Sequence, residues 1–299
     1  MAATRLIVLA LVGVSLVVGC GSGEGQTTAG GRLRVEASFY PLQWVAEQVG
    51  GRRVAVSSLT KPGAEPHDLE LTPREVGAVQ DAGAVIYLSG FQPSVDAAIG
   101  DAGGAVLDVR RAADLDLSVA DEDGASGTDP HFWLDPIRLG RVAQAVERTL
   151  TAAEPAHATE FRANGRALRA RLGDLDADLR AGLRSCTDRD LVTSHEAFGY
   201  LAQRYGLHQV GITGLTPEAE PSPRALAKVA DFVEDHHVRT IYFETLVSPA
   251  VAEAVAGETA ARTAVLDPIE TLDRHSAGDD YLAVMRSNLR SLRAGQPCR

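Results

Sequence analysis

The chain has 299 residues, a formal net charge of −11, 45% hydrophobic residues and 5% aromatics. That length suffices for one large or two medium domains, and the acidic balance argues against a nucleic-acid-binding surface. Arginine supplies nearly all the positive charge, because Lys61 and Lys228 are the only lysines.

Residues 1–20 read as a targeting segment. Arg5 supplies the charge, and Leu6 to Val18 form a weakly polar to apolar run too short to span a bilayer comfortably. The run ends Leu16-Val17-Val18-Gly19-Cys20, which resembles a bacterial lipobox with Cys20 as the acylated residue. An exported protein, lipid-anchored to the outer face of the cytoplasmic membrane, is expected. Residues 21–31 are rich in Gly, Ser and Thr and read as a flexible tether. Cys186 and Cys298 are then the remaining cysteines, and in an exported chain a disulfide between them is expected.

From Leu33 to Phe39 the pattern is a strand. A helix opens at Tyr40-Pro41 and stops at Gly50-Gly51, and a second strand covers Val54 to Leu59. A loop carrying Glu65-Pro66-His67-Asp68 leads to a helix from Thr72-Pro73. Ala84 to Leu88 and Ala105 to Val109 are apolar enough for buried parallel strands. Residues 114–129 are acidic and aperiodic, hence a loop. Pro136 opens a helix to about Ala153. Beyond Pro155 a helical pattern runs to about Arg184, with Phe161, Leu168, Leu172, Leu175, Leu179 and Leu183 at helical spacing. The alternation then restarts with strands at Asp190–Thr193, Val210–Thr213, Val238–Phe243 and Arg262–Leu266. Helices are expected from His195, Arg224, Pro249 and Asp279. The expected fold is α/β: two lobes, each a parallel sheet of about four strands flanked by helices, joined by one long backbone helix. The lobes are placed at residues 32–154 and 186–299, with residues 155–185 as the linking helix.

The stretch Asp129-Pro130-His131-Phe132-Trp133-Leu134-Asp135-Pro136 sets an imidazole between two Asp-Pro corners. Each proline fixes its own φ and keeps the preceding residue out of the helical region, so His131 sits in a short stiff segment. His67 and His195 also follow strands, at the end of an α/β sheet where ligands bind. Asp267 follows the strand ending at Leu266 and precedes Pro268, another stiff corner. Taken singly, any of these histidines has a bland reading as a loop residue. Together with Asp267 they form a candidate metal-ligand set. With His195 in the first turn of a helix capped by Ser194, the helix dipole would disfavour imidazolium and keep the ring ready to bind metal. Glu196 is then a candidate to hold a ligand in place. The other five histidines fall on helix surfaces, helix ends or polar loops.

Five runs carry a family resemblance: Lys-Pro-Gly-Ala-Glu-Pro-His67-Asp, Asp-Pro-His131-Phe-Trp-Leu-Asp-Pro, Val-Thr-Ser-His195-Glu-Ala-Phe-Gly-Tyr, Thr-Pro-Glu-Ala-Glu-Pro-Ser and Leu-Asp267-Pro. Together they resemble the ZnuA/TroA-like metal-binding lipoproteins of zinc and manganese ABC importers, from Arg32 to the end of the chain. The resemblance implies two lobes with the metal in the cleft between them. It places His67 and His131 in the first lobe, and His195 and Asp267 in the second. It also implies an ABC importer permease as partner, with a monomer expected. Many zinc members carry a His-rich loop before the second ligand histidine, whereas residues 114–129 here contain none. Three imidazoles and one carboxylate suit tetrahedral Zn²⁺ better than Mn²⁺, which prefers oxygen. The expected function is extracytoplasmic capture of Zn²⁺ for import, and not an enzyme. The alternatives are a manganese-binding importer component, an adhesin-type lipoprotein and a zinc hydrolase. A hydrolase needs an open coordination position and a general base, and neither a His-Glu-x-x-His run nor a Gly-x-Ser-x-Gly elbow is present.

Overall fold

The computed structural model describes residues 26–120, 126–246 and 248–298. Cys20 and the targeting segment lie outside these residues. The first lobe runs β1 (Leu33–Ala37), α1 (Tyr40–Gly50), β2 (Val54–Ser58), α2 (Pro73–Asp81), β3 (Ala84–Tyr87), α3 (Pro93–Ala98), β4 (Ala105–Asp108) and α4 (Arg110–Ala113). A hairpin follows, β5 (Ser118–Ala120) with β6 (Ser126–Thr128), and then α5 (Pro136–Ala153) and α6 (Ala158–Leu183). The second lobe runs β7 (Asp190–Thr193), α7 (Gly199–Tyr205), β8 (His208–Gly211), α8 (Pro223–Asp235), β9 (Thr240–Phe243), α9 (Ala250–Glu258), β10 (Arg262–Val265) and α10 (Tyr281–Gly295).

Each lobe holds one four-stranded sheet with every pairing parallel. The orders are β2-β1-β3-β4 and β8-β7-β9-β10, so both sheets follow the same pattern. The chain therefore reverses direction across the sheet between β1 and β3, and again between β7 and β9. In open α/β sheets the crevice beyond the carboxyl ends at such a point is where ligands bind.

The helix starts explain themselves locally. Thr72 and Glu75 form a reciprocal capping box at α2. The Asp135 side chain accepts from the backbone of Ile137 and Arg138 ahead of Pro136 at α5, and Asp280 accepts from Ala283 at α10. α6 spans 26 residues, about 39 Å at the ordinary rise of roughly 1.5 Å per residue. Its buried stripe is Phe161, Gly165, Leu168, Leu172, Leu175, Leu179 and Leu183. That stripe packs on α1 and α5 of the first lobe and on α10 of the second. One apolar core thus runs from the first sheet through α6 into the second lobe, with smaller clusters behind each sheet. Cys186, just past α6, is bonded to Cys298 after α10, a separation of 112 residues. Among the described residues no helix is long and apolar enough to cross a membrane.

Two local expectations are corrected. The acidic stretch 114–129 is not wholly a loop, because β5 and β6 pair antiparallel within it. The helix expected from His195 begins only at Gly199, with Phe198 as its cap. The reason is competition for the backbone: the His195 carbonyl accepts from Thr193 Oγ1 at 2.6 Å and from Gln209 Nε2 at 3.1 Å. Those bonds hold residues 194–198 in an irregular turn.

Candidate metal centre

His67 lies in the loop after β2. The Glu65 carboxylate accepts from the His67 backbone N–H at 2.9 Å, and Gln92 donates to the Pro66 carbonyl at 3.1 Å. The edge of the His67 ring meets Phe91, with centroids 4.8 Å apart. His131 follows the hairpin. Asp129 Oδ1 accepts from the His131 backbone N–H at 2.9 Å and contacts its ring Nδ1 at 2.8 Å. A carboxylate only accepts, so Nδ1 carries the proton and Nε2 is left free to ligate. His195 follows β7 and is arranged in the same way: Nδ1 contacts Glu244 Oε1 at 2.5 Å. Glu244 follows β9 and also accepts from Ser194 Oγ at 2.7 Å. Glu270 follows β10, at the end of the turn Asp267-Pro268-Ile269-Glu270.

These four side chains converge. Glu270 Oε1 lies 3.0 Å from His131 Nε2, 3.3 Å from His67 Nε2 and 3.5 Å from His195 Nε2. The His131 and His67 Nε2 atoms are 3.4 Å apart. All four donor atoms fall within 4.8 Å of one another. A tetrahedron with bonds near 2.0–2.1 Å has edges of about 3.3–3.4 Å, so these separations fit one four-coordinate zinc ion. His131, His195 and Glu270 are buried and the His67 side chain is 10% exposed, which puts the open side of the cluster at His67. His195 Nε2 and Glu270 Oε2 are buried without a hydrogen-bond partner. Such atoms are costly unless something binds them.

The electrostatics are those of a cation site. Burial opposes ionisation of Glu270, but three imidazoles outweigh it and hold the carboxyl well below its ordinary range. Burial also disfavours charge on His195, yet Glu244 and Glu270 push that ring up to about 10. His131 is likewise raised by Asp129 and Glu270 against its burial. His67 is lowered, because burial prevails over Glu270 there. Burial and the Glu270 charge push Glu65 up to about 8. Without a metal the cluster therefore retains protons that a cation would displace.

The structure brings together three of the four residues expected as ligands and not the fourth. Asp267 lies outside the group. Its Oδ1 accepts from the Ile269 N–H at 2.7 Å, and Oδ2 is buried without a partner; burial pushes its carboxyl up to about 6. Glu270, three residues on, stands where Asp267 was expected. Nothing in periodicity marks it, although it shares the stiff corner after β10. Glu196 does not support a ligand either. It lines a separate cavity of about 590 Å³ beside β8 and α8, which contains none of the four clustered residues, and its carboxyl is turned toward Gly211. Asp129 and Glu244, rather than Glu196, contact the ring nitrogens of clustered histidines. Asp129 was readable two residues before His131, and Glu244 stands where the strand-end rule points. His208 and His236, outside the cluster, contact the two oxygens of Asp190.

Comparison with known proteins agrees with this geometry. The family model for ZnuA, the periplasmic component A of a zinc-uptake complex, matches residues 35–295. The high-affinity zinc uptake system protein ZnuA of Bacillus subtilis is 32% identical over 298 residues, covering 93% of each chain. The zinc-binding protein AdcA of Streptococcus pyogenes serotype M18 is 35% identical over 292 residues, 90% of this chain, which spans only 57% of AdcA. Among solved structures, the Zn(II)-bound ZnuA-like domain of Streptococcus pneumoniae AdcA superposes with a TM-score of 0.76 at 32% identity, covering 89% of this chain and 99% of that one. The laminin-binding protein Lmb of Streptococcus agalactiae, described as bifunctional in adhesion and metal transport, gives 0.78 at 30% identity, with the same coverage. The cluster, the paired sheets and these matches lead to one assignment: the chain belongs to the ZnuA family.

Proposed function

We propose that this protein captures Zn²⁺ outside the cytoplasmic membrane and delivers it to an ABC importer, held at the membrane through Cys20. The observation that carries this reading is the convergence of His67, His131, His195 and Glu270 at zinc-like spacing. Two of these residues come from each lobe. Imidazole nitrogens favour zinc over manganese, which prefers oxygen donors. Four protein donors leave no open position for a zinc-bound water, which supports cargo rather than a hydrolytic centre. The family's role as a component of zinc uptake supports a permease and an ATPase as partners.

The test is metal analysis of protein purified without chelator, followed by zinc and manganese in competition for the metal-free form. One zinc per chain, not displaced by excess manganese, is the expected result. Preferential retention of manganese would overturn the zinc reading, and failure to bind either would overturn the metal site.

A further inference from the structure

The turn before Glu270, which carries it to the cluster, takes an unusual path. Ile269 has φ 58, the left-handed region that a β-branched residue occupies only under constraint. It is also fully buried, so the turn cannot relax into solvent. Three contacts hold it. Asp267 Oδ1 accepts from the Ile269 N–H at 2.7 Å. Asn288, on α10, accepts from the Asp267 N–H at 3.0 Å and donates back to the Asp267 carbonyl at 2.7 Å. From the first lobe, Trp133 Nε1 donates to the Pro268 carbonyl at 2.7 Å. Every residue of the turn before Glu270 is therefore fixed by a partner, and two of the three contacts involve Asp267.

We propose that Asp267 and Asn288 are positioning residues for Glu270: they hold the strained turn that presents its carboxylate to the metal, without touching the metal themselves. This rests on the reading of Glu270 as a metal ligand. If it is right, what Asp267 supplies is an acceptor oxygen rather than a charge, and an asparagine should replace it. Loss of the acceptor should let Ile269 return to an ordinary conformation and swing Glu270 out of reach.

The experiment measures zinc affinity of the full chain by competition with a chelating dye, and the visible spectrum of the Co²⁺-loaded form. Five forms are compared with the wild type: Asp267→Ala, Asp267→Asn, Asn288→Ala, Glu270→Gln and the double variant Asp267→Ala/Glu270→Gln. Asp267→Ala and Asn288→Ala are expected to weaken zinc binding by about 10–100-fold, the usual range for partners that orient a ligand. Their Co²⁺ spectra should move toward that of Glu270→Gln. Asp267→Asn should stay within about threefold of wild type, because the hydrogen bond survives. The double variant should bind no more weakly than Glu270→Gln alone, since the two act through one group. If Asp267→Asn loses as much as Glu270→Gln, Asp267 ligates directly and the proposal fails. It fails equally if the Asp267→Ala loss persists in full in the Glu270→Gln background, which marks a general structural role. It also fails if Asp267→Ala and Asn288→Ala both bind as wild type does. Should Glu270→Gln itself leave zinc binding unchanged, the ligand assignment beneath it is what falls.

Discussion

The two lobes share one strand order but support their metal-facing residues differently. In the first lobe the support is local. Asp129 orients His131 from two residues away, Glu65 braces the His67 backbone from two residues away, and Trp133 flanks the His131 ring; Phe91 and Gln92 add longer-range contacts around His67. In the second lobe it is distant. His195 depends on Glu244, 49 residues on, and the turn carrying Glu270 depends on Asn288 from α10 and on Trp133 from the other lobe. The carboxylates that brace the first lobe's histidines are thus supplied by their own short segments, whereas those of the second lobe's half of the site come into place only once that lobe is assembled.

The sharpest way to break this comparison is to remove one donor from each side. His131→Ala and Glu270→Gln should each lower zinc affinity by more than the roughly 10–100-fold typical of orienting residues, measured by dye competition. A large loss from one and none from the other would leave a site belonging to a single lobe. Next in size is the Cys186–Cys298 bond. Replacing both cysteines with serine should cost about 2–4 kcal/mol of stability, below the chain-entropy figure of roughly 4.7 for a loop near 100 residues. Denaturant unfolding should place that loss in the second lobe, with the lobe's long-range support weakened.

Asp129→Asn and Glu244→Gln compare the two kinds of support directly. Both should weaken zinc binding by about 10–100-fold. Only Glu244→Gln should also lower the unfolding temperature of the metal-free protein, because Glu244 ties β9 to the segment after β7 through Ser194 as well. Equal thermal effects would erase the local-versus-distant distinction.

Acid should act through the cluster's raised imidazoles, His195 and His131. The His195 ring is raised to about 10 in the folded chain, above the ordinary imidazole value of about 6.5. A raised value means that the protonated form stabilises the metal-free fold fully below about 6.5, and that this contribution disappears as pH rises toward 10. Zinc must displace that proton, so apparent affinity should climb by about tenfold per pH unit for each proton released, through neutrality rather than only near pH 6.5. A flat profile between pH 6 and 8 would count against His195 as a ligand.

The smallest effect concerns the seam. Trp133 donates to Pro268, Tyr281 donates to the Trp133 carbonyl at 2.5 Å, and the Gly63 N–H donates to Thr271 at 2.9 Å. In Trp133→Phe the lost bond to Pro268 should by itself cost about 1 kcal/mol, with a further loss from the gap left by a fully buried ring, read by denaturant unfolding. Scattering curves of metal-free and zinc-loaded wild type should nearly superimpose, since α6 offers no loop hinge. A change of several Å in radius of gyration would contradict this.

What was legible in the sequence follows the same division. The alternating elements, the stripe of α6 and the first lobe's His67 and His131 are written in local pattern: period, caps and Asp-Pro corners. His195 was legible by position, but its helix was misplaced because Thr193 and Gln209 claim its carbonyl from β7 and β8. Asp267 carries a local signal, its place beside Pro268, and Glu270 carries none. The turn that makes Glu270 the better placed carboxylate is fixed by Asn288 and Trp133, which no spacing rule connects to it. Glu196 stands beside His195 in sequence, whereas Glu244 meets its ring from 49 residues away.

The position of α10 after every other element of the second lobe has a consequence for the order in which the site can assemble. Lobes fold as units. The first lobe can gather His67 and His131 early. The second cannot fix the turn before Glu270 until α10 arrives with Asn288, nor can Tyr281 reach Trp133 before then. Until that moment the apolar face of α6 that meets α10 has no cover. A chain cut before Tyr281 would therefore keep the strands of both sheets and all four clustered residues, yet lack the partners on α10 that hold the turn before Glu270.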